Sequence, residues 1–227
     1  MGWSDWIRGP VEIEPSLYAA DFRRLGEQVD ALLTAGCRVF HFDTGDGHFV
    51  PPVTIGPVVL RSIAPAIHAA GGVLDCHLMV TDPARHFSEF AESGADSVTF
   101  HVEATDDPAG VAARARELGL AVGISFNPGT EPEDAAAFAG AAGAELVLCM
   151  SIVPGYSGQA FMPEALGRIE RLRTLVDVPI QVDGGVGAAN ARDVHAAGAS
   201  LLVAGSAVFA DPDPATAYGR IRAAATA

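Results

Sequence analysis

The sequence predicts an α/β fold, a single-domain (β/α)8 TIM barrel, on three observations. Short β-branched or apolar runs alternate strictly with Ala-rich helical patterns along all 227 residues. No Ser-rich or Pro-rich linker divides them, and the length approaches the ~250 residues typical of such barrels. A glycine stands where helix hands over to strand, at Gly36, Gly94, Gly119, Gly143 and Gly198, suiting the left-handed residue that ends a helix. A doubly wound open sheet is the competing architecture. It is disfavoured because Pro15-Ser16-Leu17-Tyr18 follows the first strand where such folds carry G-x-G-x-x-G.

Residues 1–10 form an N-terminal extension, and the elements follow in order. The alternating run 11–16 is a strand, and the helix at 22–34 closes on Gly36. Strand 38–43 leads to a helix at 57–68 opening on Pro57, and strand 73–77 to a helix at 83–93 announced by Asp82-Pro83. Strand 97–101 precedes a helix at 108–118, with Asp107-Pro108 at its start. The apolar runs 121–126 and 146–150 are strands, followed by helices at 131–139 and 163–175. Strands 179–183 and 201–204 and helices 189–196 and 214–223 complete the series, the last opening on Asp213-Pro214.

Composition limits the chemistry. All 14 basic residues are Arg, so Schiff-base aldolase chemistry, lysine-anchored pyridoxal phosphate and a P-loop lysine are excluded. The 28 acidic residues give a net charge of -14, opposite to the footprint of a nucleic-acid or anionic-membrane binder. A small-molecule ligand is expected instead. Cys37, Cys76 and Cys149 lie isolated in apolar runs, which suggests neither a disulfide framework nor a cysteine zinc site. With no apolar segment of spanning length and no signal-like start, a cytoplasmic protein is expected.

In a barrel, chemistry sits where strands end and βα loops begin. Those ends carry Ser16, His41 and Asp43, Asp75 and His77, His101 and Glu103, and Asp183. Residues two apart on a strand share a face, so His41 projects with Asp43 and Asp75 with His77. Their neighbours Phe40, Phe42, Leu74 and Cys76 are apolar and should face the helices. Charge on the inward face of adjacent buried strands is costly unless paired or coordinated. His41, Asp43, His77 and Asp183 therefore suit a divalent metal such as zinc, iron, manganese or cobalt. Asp75, one layer deeper, is expected to orient an imidazole. His101 and Glu103 remain open between structure and site, while His48, His68, His86 and His195 read as structural.

Three glycine-bearing loops follow the last three strands: 154–159, Asp183-Gly184-Gly185-Val186 and Ala204-Gly205-Ser206-Ala207. Such loops expose backbone N–H groups, and those after strands seven and eight are a frequent phosphate site. Backbone dipoles explain how an acidic, lysine-free chain would hold a phosphate.

As an ordered set, Glu14-Pro15-Ser16-Leu17, His41-Phe42-Asp43-Thr44-Gly45-Asp46-Gly47-His48-Phe49-Val50-Pro51, Asp75-Cys76-His77-Leu78-Met79, Met150-Ser151-Ile152-Val153-Pro154-Gly155, Val182-Asp183-Gly184-Gly185-Val186 and Val203-Ala204-Gly205-Ser206 closely resemble ribulose-phosphate 3-epimerase. The likeness runs from about residue 11 to the C-terminus. It implies a metal held by His41, Asp43, His77 and Asp183, with Asp43 and Asp183 as the catalytic acid/base pair. It implies substrate contacts from Ser16, His77, Met79 and Met150, and phosphate binding by Gly155, Tyr156, Ser157, Gly158, Gly184, Gly185, Gly205 and Ser206. The implied reaction is epimerisation at carbon 3 of D-ribulose 5-phosphate to D-xylulose 5-phosphate through an enediolate. No organic cofactor is expected, and a homo-oligomer is.

Several positions depart from the family pattern. Gly45 replaces a usual Met, implying a wider pocket; Pro52 replaces Asn, Val153-Pro154-Gly155-Tyr156-Ser157-Gly158 replaces Asn-Pro-Gly-Phe-Gly-Gly, and Glu14 replaces a small residue. Glu14 should point inward and need a partner or a proton. The alternatives are a 3-epimerase of a hexulose 6-phosphate, an aldolase or isomerase sharing only the phosphate loops, and a phosphosugar-binding barrel without turnover.

Overall fold

The computed structural model describes residues 2–227. Its strands are β1 (Glu12–Pro15), β2 (Val39–Gly45), β3 (Val73–Met79), β4 (Ser97–His101), β5 (Ala121–Phe126), β6 (Leu146–Met150), β7 (Ile180–Asp183) and β8 (Leu201–Ala204). They form one eight-stranded sheet in the order β1-β8-β7-β6-β5-β4-β3-β2. Every pairing is parallel, and a parallel bridge between Ser16 and His41 returns β1 to β2, closing the (β/α)8 barrel.

The helices are α1 (Trp3–Trp6), α2 (Leu25–Thr34), α3 (Pro57–Ala69), α4 (Phe87–Glu92), α5 (Pro108–Glu117), α6 (Pro132–Ala142), α7 (Ala165–Arg173), α8 (Ala191–Ala196), α9 (Ser206–Phe209) and α10 (Pro214–Ala225). No helix among the described residues is long and apolar enough to cross a membrane. Asp107 caps α5 through Gly110 N, and Asp213 caps α10 through Ala215 N and Thr216 N. Asp82 corrects the expectation: its side chain caps nothing, and the helix expected at 83–93 divides into a 3-10 turn, Pro83–Arg85, and α4. The helix expected from residue 22 starts at Leu25, because Asp21 closes a turn of its own, accepting from Arg23 N through Oδ1 and from Arg24 N through its carbonyl. Gly143 ends α6 at φ 60, in the left-handed region where a Cβ is costly.

Alternation along the strands sorts the side chains. Phe40, Phe42, Leu74, Cys76, Val98, Phe100, Val122 and Ile124 join the main core between strands and helices. The opposite faces of β1 to β3 point into the barrel with Glu14, Ser16, His41, Asp43, Asp75 and His77, all buried. The N-terminal extension holds α1, whose Trp3 and Trp6 close the end of the barrel opposite the βα loops. They pack on Val39, Ala121, Leu146 and Leu201, ring centroids 5.0 Å apart.

Candidate active site

His41 and Asp43 project from β2, His77 from β3 and Asp183 from the end of β7. One ligand atom from each lies within 4.8 Å of the others. His41 Nε2 is 3.1 Å and His77 Nδ1 2.9 Å from the same oxygen, Asp43 Oδ1, and Asp183 Oδ2 is 3.8 Å from His77 Nδ1. The four residues read from the sequence as ligands therefore converge.

The far nitrogen of each ring is also held. Asp75 Oδ2 lies 2.8 Å from His41 Nδ1, and Asp75 itself accepts from Ser97 Oγ at 2.8 Å and Gln181 Nε2 at 2.8 Å. Asp75 thus orients His41. His77 Nε2 meets His101 Nε2 at 2.8 Å, and His101 Nδ1 lies 3.3 Å from Glu103 Oε2. Glu103 is fixed in turn by Asn127 N and Thr130 Oγ1. Burial pushes His101 down to about 4 against the pull of Glu103, so its ring is neutral near neutral pH. A neutral His101 donating to Glu103 accepts from His77 Nε2–H, and His77 Nδ1 faces Asp43 Oδ1. His41, held by Asp75 at Nδ1, likewise presents Nε2 to Asp43 Oδ1.

Two imidazole nitrogens and a carboxylate converging on one point form a donor set for a cation. A divalent ion of zinc, manganese, iron or cobalt type suits this donor set, with its outer nitrogens already anchored. A proton can serve the same need. Burial lowers His41, but Asp43, Asp75 and Glu14 outweigh it and hold the ring well above the usual imidazole value.

The two carboxyl groups differ. Burial raises Asp43, yet the His41 and His77 rings overcome it and keep the carboxyl well below the usual range. Burial and the neighbouring Asp43 carboxylate push Asp183 up to about 6. Two carboxyl groups with environments driven apart have the character of a base and an acid. Ser16 Oγ donates to Asp43 Oδ2 at 2.5 Å.

Above this floor opens a pocket lined by Ser16, Asp43, Met79, Met150, Gly155, Tyr156, Ser157, Gly158, Asp183, Gly184, Gly185, Gly205 and Ser206. The sequence-predicted site residues thus meet in one cavity, apart from His41 and His77, which are 0% exposed and lie beneath its surface. His77 lies beside Asp43 below the pocket surface. The cavity is also lined by Tyr18, Ile152, Val186 and Val203, which sequence reasoning did not single out. His48, His68 and His195 bond Asp46 O, Asp96 and Ala199 O away from the cavity.

Gly45 corrects an expectation. A Cβ there would come within 2.7 Å of Val50 Cγ2 and 2.9 Å of Pro52 O. The loop after β2 occupies the space that a larger side chain would take, so Gly45 does not widen the pocket. Glu14 finds its partner below the site. Gln181 Nε2 bridges it to Asp75, while Glu14 Oε1 has no hydrogen-bond partner. Burial raises Glu14 to about 7, so it takes up a proton far more readily than an exposed glutamate. Gln181 carried no signal in the sequence, since an amide in a strand has no charge to draw notice.

A family model described as the ribulose-phosphate 3 epimerase family matches residues 12–209. Ribulose-phosphate 3-epimerase of Mycobacterium leprae (strain TN) is 40% identical over 219 residues, covering 94% of this chain and 94% of that one. The Escherichia coli (strain K12) protein of the same name is 39% identical over 206 residues, covering 88% of this chain and 90% of its own. Among solved structures, 3-hexulose-6-phosphate synthase from Salmonella typhimurium superposes with a TM-score of 0.72 over 95% of this chain and 99% of that one. At 16% identity, that likeness concerns the fold alone.

Proposed function

The chain belongs to the ribulose-phosphate 3-epimerase family, and from that premise we propose that it inverts carbon 3 of D-ribulose 5-phosphate to give D-xylulose 5-phosphate, with Asp43 and Asp183 as its two proton-transfer groups. The observation that carries this reading is the convergence of His41, Asp43, His77 and Asp183 within 4.8 Å at the floor of a pocket walled by glycine loops. Inverting a carbon beside a carbonyl requires a base on one face and an acid on the other. Asp43 and Asp183 reach the cavity from β2 and β7, strands separated by β1 and β8. Asp43, held ionised by its imidazole neighbours, takes the proton from carbon 3. Asp183, protonated more readily, delivers one to the opposite face, and the roles exchange in the reverse direction.

His41, Asp43, His77 and Asp183 would hold a divalent ion, which would supply Lewis-acid stabilisation of the negative charge that develops on the substrate. Ser16, bonded to Asp43, fixes the direction of its carboxylate. Met79 and Met150 give the reacting carbon an apolar wall that excludes water. Backbone N–H groups of 155–158, 184–185 and 205–206 hold the phosphate.

The longer hexulose 6-phosphate loses its motivation, since Val50 and Pro52 fill the space beside Gly45. Steady-state assays with added divalent metal test the choice. The proposal expects kcat/KM for ribulose 5-phosphate to exceed that for a 3-epimerisable hexulose 6-phosphate, and the reverse order refutes it. Exposed Phe22, Val53 and Val58 favour a homo-oligomer. Light scattering after size exclusion that gives a monomer mass refutes that.

A further inference from the structure

Tyr18 has no part in the chemistry above. It sits on the 3-10 turn Leu17–Ala19 that follows β1, two residues beyond Ser16, and lines the same cavity as Asp43, Asp183, Gly185 and Ser206. Ser16 commits its hydroxyl to Asp43, whereas the Tyr18 hydroxyl has no hydrogen-bond partner among the described residues. The turn is pressed against the phosphate-side loops. A Cβ on Gly205 would lie 3.3 Å from Ala19 Cβ, 3.3 Å from Ser157 Oγ and 3.7 Å from Ser16 Cβ. The loops after β1, β6 and β8 therefore meet beside the turn that carries Tyr18, and all three line the cavity.

The electrostatics of that cavity make a neutral donor valuable. Among the described residues its only charged lining residues are Asp43 and Asp183, both acidic, with no Arg, and the chain contains no Lys. A phosphate dianion entering this field must be held by uncharged N–H and O–H donors, so each donor counts. Hydrogen bonds to a charged acceptor are about twice as strong as those between neutral groups. Burial and the neighbouring Tyr156 and Asp43 push the Tyr18 phenol above its usual value, so it keeps its proton and remains a donor.

We propose that the Tyr18 hydroxyl donates a hydrogen bond to the phosphate of the ketose phosphate, making Tyr18 a specificity-determining residue of the phosphate subsite. The inference rests on the functional reading above for the identity of the ligand. Its geometric basis is that Tyr18 lines the cavity together with Ser157, Gly205 and Ser206, on a turn whose Ser16 and Ala19 lie beside Gly205.

The test compares the parent with Tyr18→Phe and Tyr18→Leu, using inorganic phosphate as the probe in calorimetric titration and ribulose 5-phosphate in steady-state kinetics. Losing one hydrogen bond to a charged group should weaken inorganic phosphate binding about tenfold and raise KM by a similar factor, with kcat unchanged. Tyr18→Leu should lose about as much as Tyr18→Phe, because the hydroxyl and not the ring makes the contact. Unchanged phosphate affinity in Tyr18→Phe overturns the proposal, as does a fall in kcat at constant KM, which would put the hydroxyl in the acid/base chemistry. A loss confined to Tyr18→Leu also overturns it, since the ring alone would then matter. The two readings fail separately. A parent that does not invert ribulose 5-phosphate sinks the functional reading, while phosphate binding by parent and Tyr18→Phe still decides this one.

Discussion

The floor of the cavity and its rim are built on opposite principles. On the floor, β2, β3 and β7 present His41, Asp43, His77 and Asp183, buried and anchored by Asp75, His101 and Gln181. At the rim, the loops after β6, β7 and β8 present glycines and hydroxyls, with no cationic side chain. Barrel strands are rigid and can hold charge in place where chemistry needs it. A phosphate needs only a concave set of donors, which backbone provides when side chains are absent. The contrast teaches that this acidic chain gathers its buried carboxylates beside imidazoles on the floor and leaves the rim to main chain and hydroxyls.

The contrast can be broken most sharply at the floor. Stripping the divalent ion with a chelator should lower turnover on the order of a thousandfold, and adding back zinc, manganese, iron or cobalt should restore it. Full activity in protein shown by elemental analysis to lack metal contradicts the assignment. At the rim, a Cβ on Gly185 would run into the backbone of Phe161, and its φ of +65 disfavours any side chain. Gly185→Leu should therefore raise KM by about tenfold or more while leaving the metal content whole. A fall in metal content with KM constant would show that floor and rim are not separate.

Smaller effects sharpen the picture of the floor. Asp75→Asn should weaken metal binding by about 10- to 100-fold in a competition titration, because His41 loses the partner that orients it. Unchanged affinity would leave Asp75 a purely structural role. Glu14→Gln should act mainly through pH. In metal-free protein the Glu14 carboxyl is raised to about 7, so its contribution to stability is full below its ordinary value near 4.5 and is lost as pH rises through about 7. Glu14→Gln should gain melting temperature relative to the parent between pH 5 and pH 8. A constant difference across that range would contradict the buried, protonated state.

What the sequence disclosed follows the same division. Charge inside apolar strands is conspicuous, so His41, Asp43, His77 and Asp183 could be read, and glycines grouped after the last strands marked the rim. The strands over 97–101, 121–126, 146–150 and 201–204 were legible to the residue because they are short apolar runs between clear punctuation. Other features left no such mark. The helix Trp3–Trp6 is too short for a period, and its place under the barrel depends on packing with Val39 and Leu201, distant in sequence. Tyr18 and Gln181 are single uncharged residues whose roles come from what folding brings beside them. Gly45 misled because the missing side chain was visible and the compensating approach of Val50 was not.

The most direct test of the central claim is proton NMR in D2O on Asp43→Asn and Asp183→Asn, each with its metal content measured, following hydrogen at carbon 3 of ribulose 5-phosphate and xylulose 5-phosphate. With two carboxylates serving opposite faces, neither variant should invert the carbon at a useful rate. At least one variant that keeps its metal should exchange the carbon 3 hydrogen of one epimer faster than it converts that epimer, because its remaining carboxylate still works on one face. A metal-loaded variant that epimerises at near the parent rate would contradict the two-carboxylate mechanism.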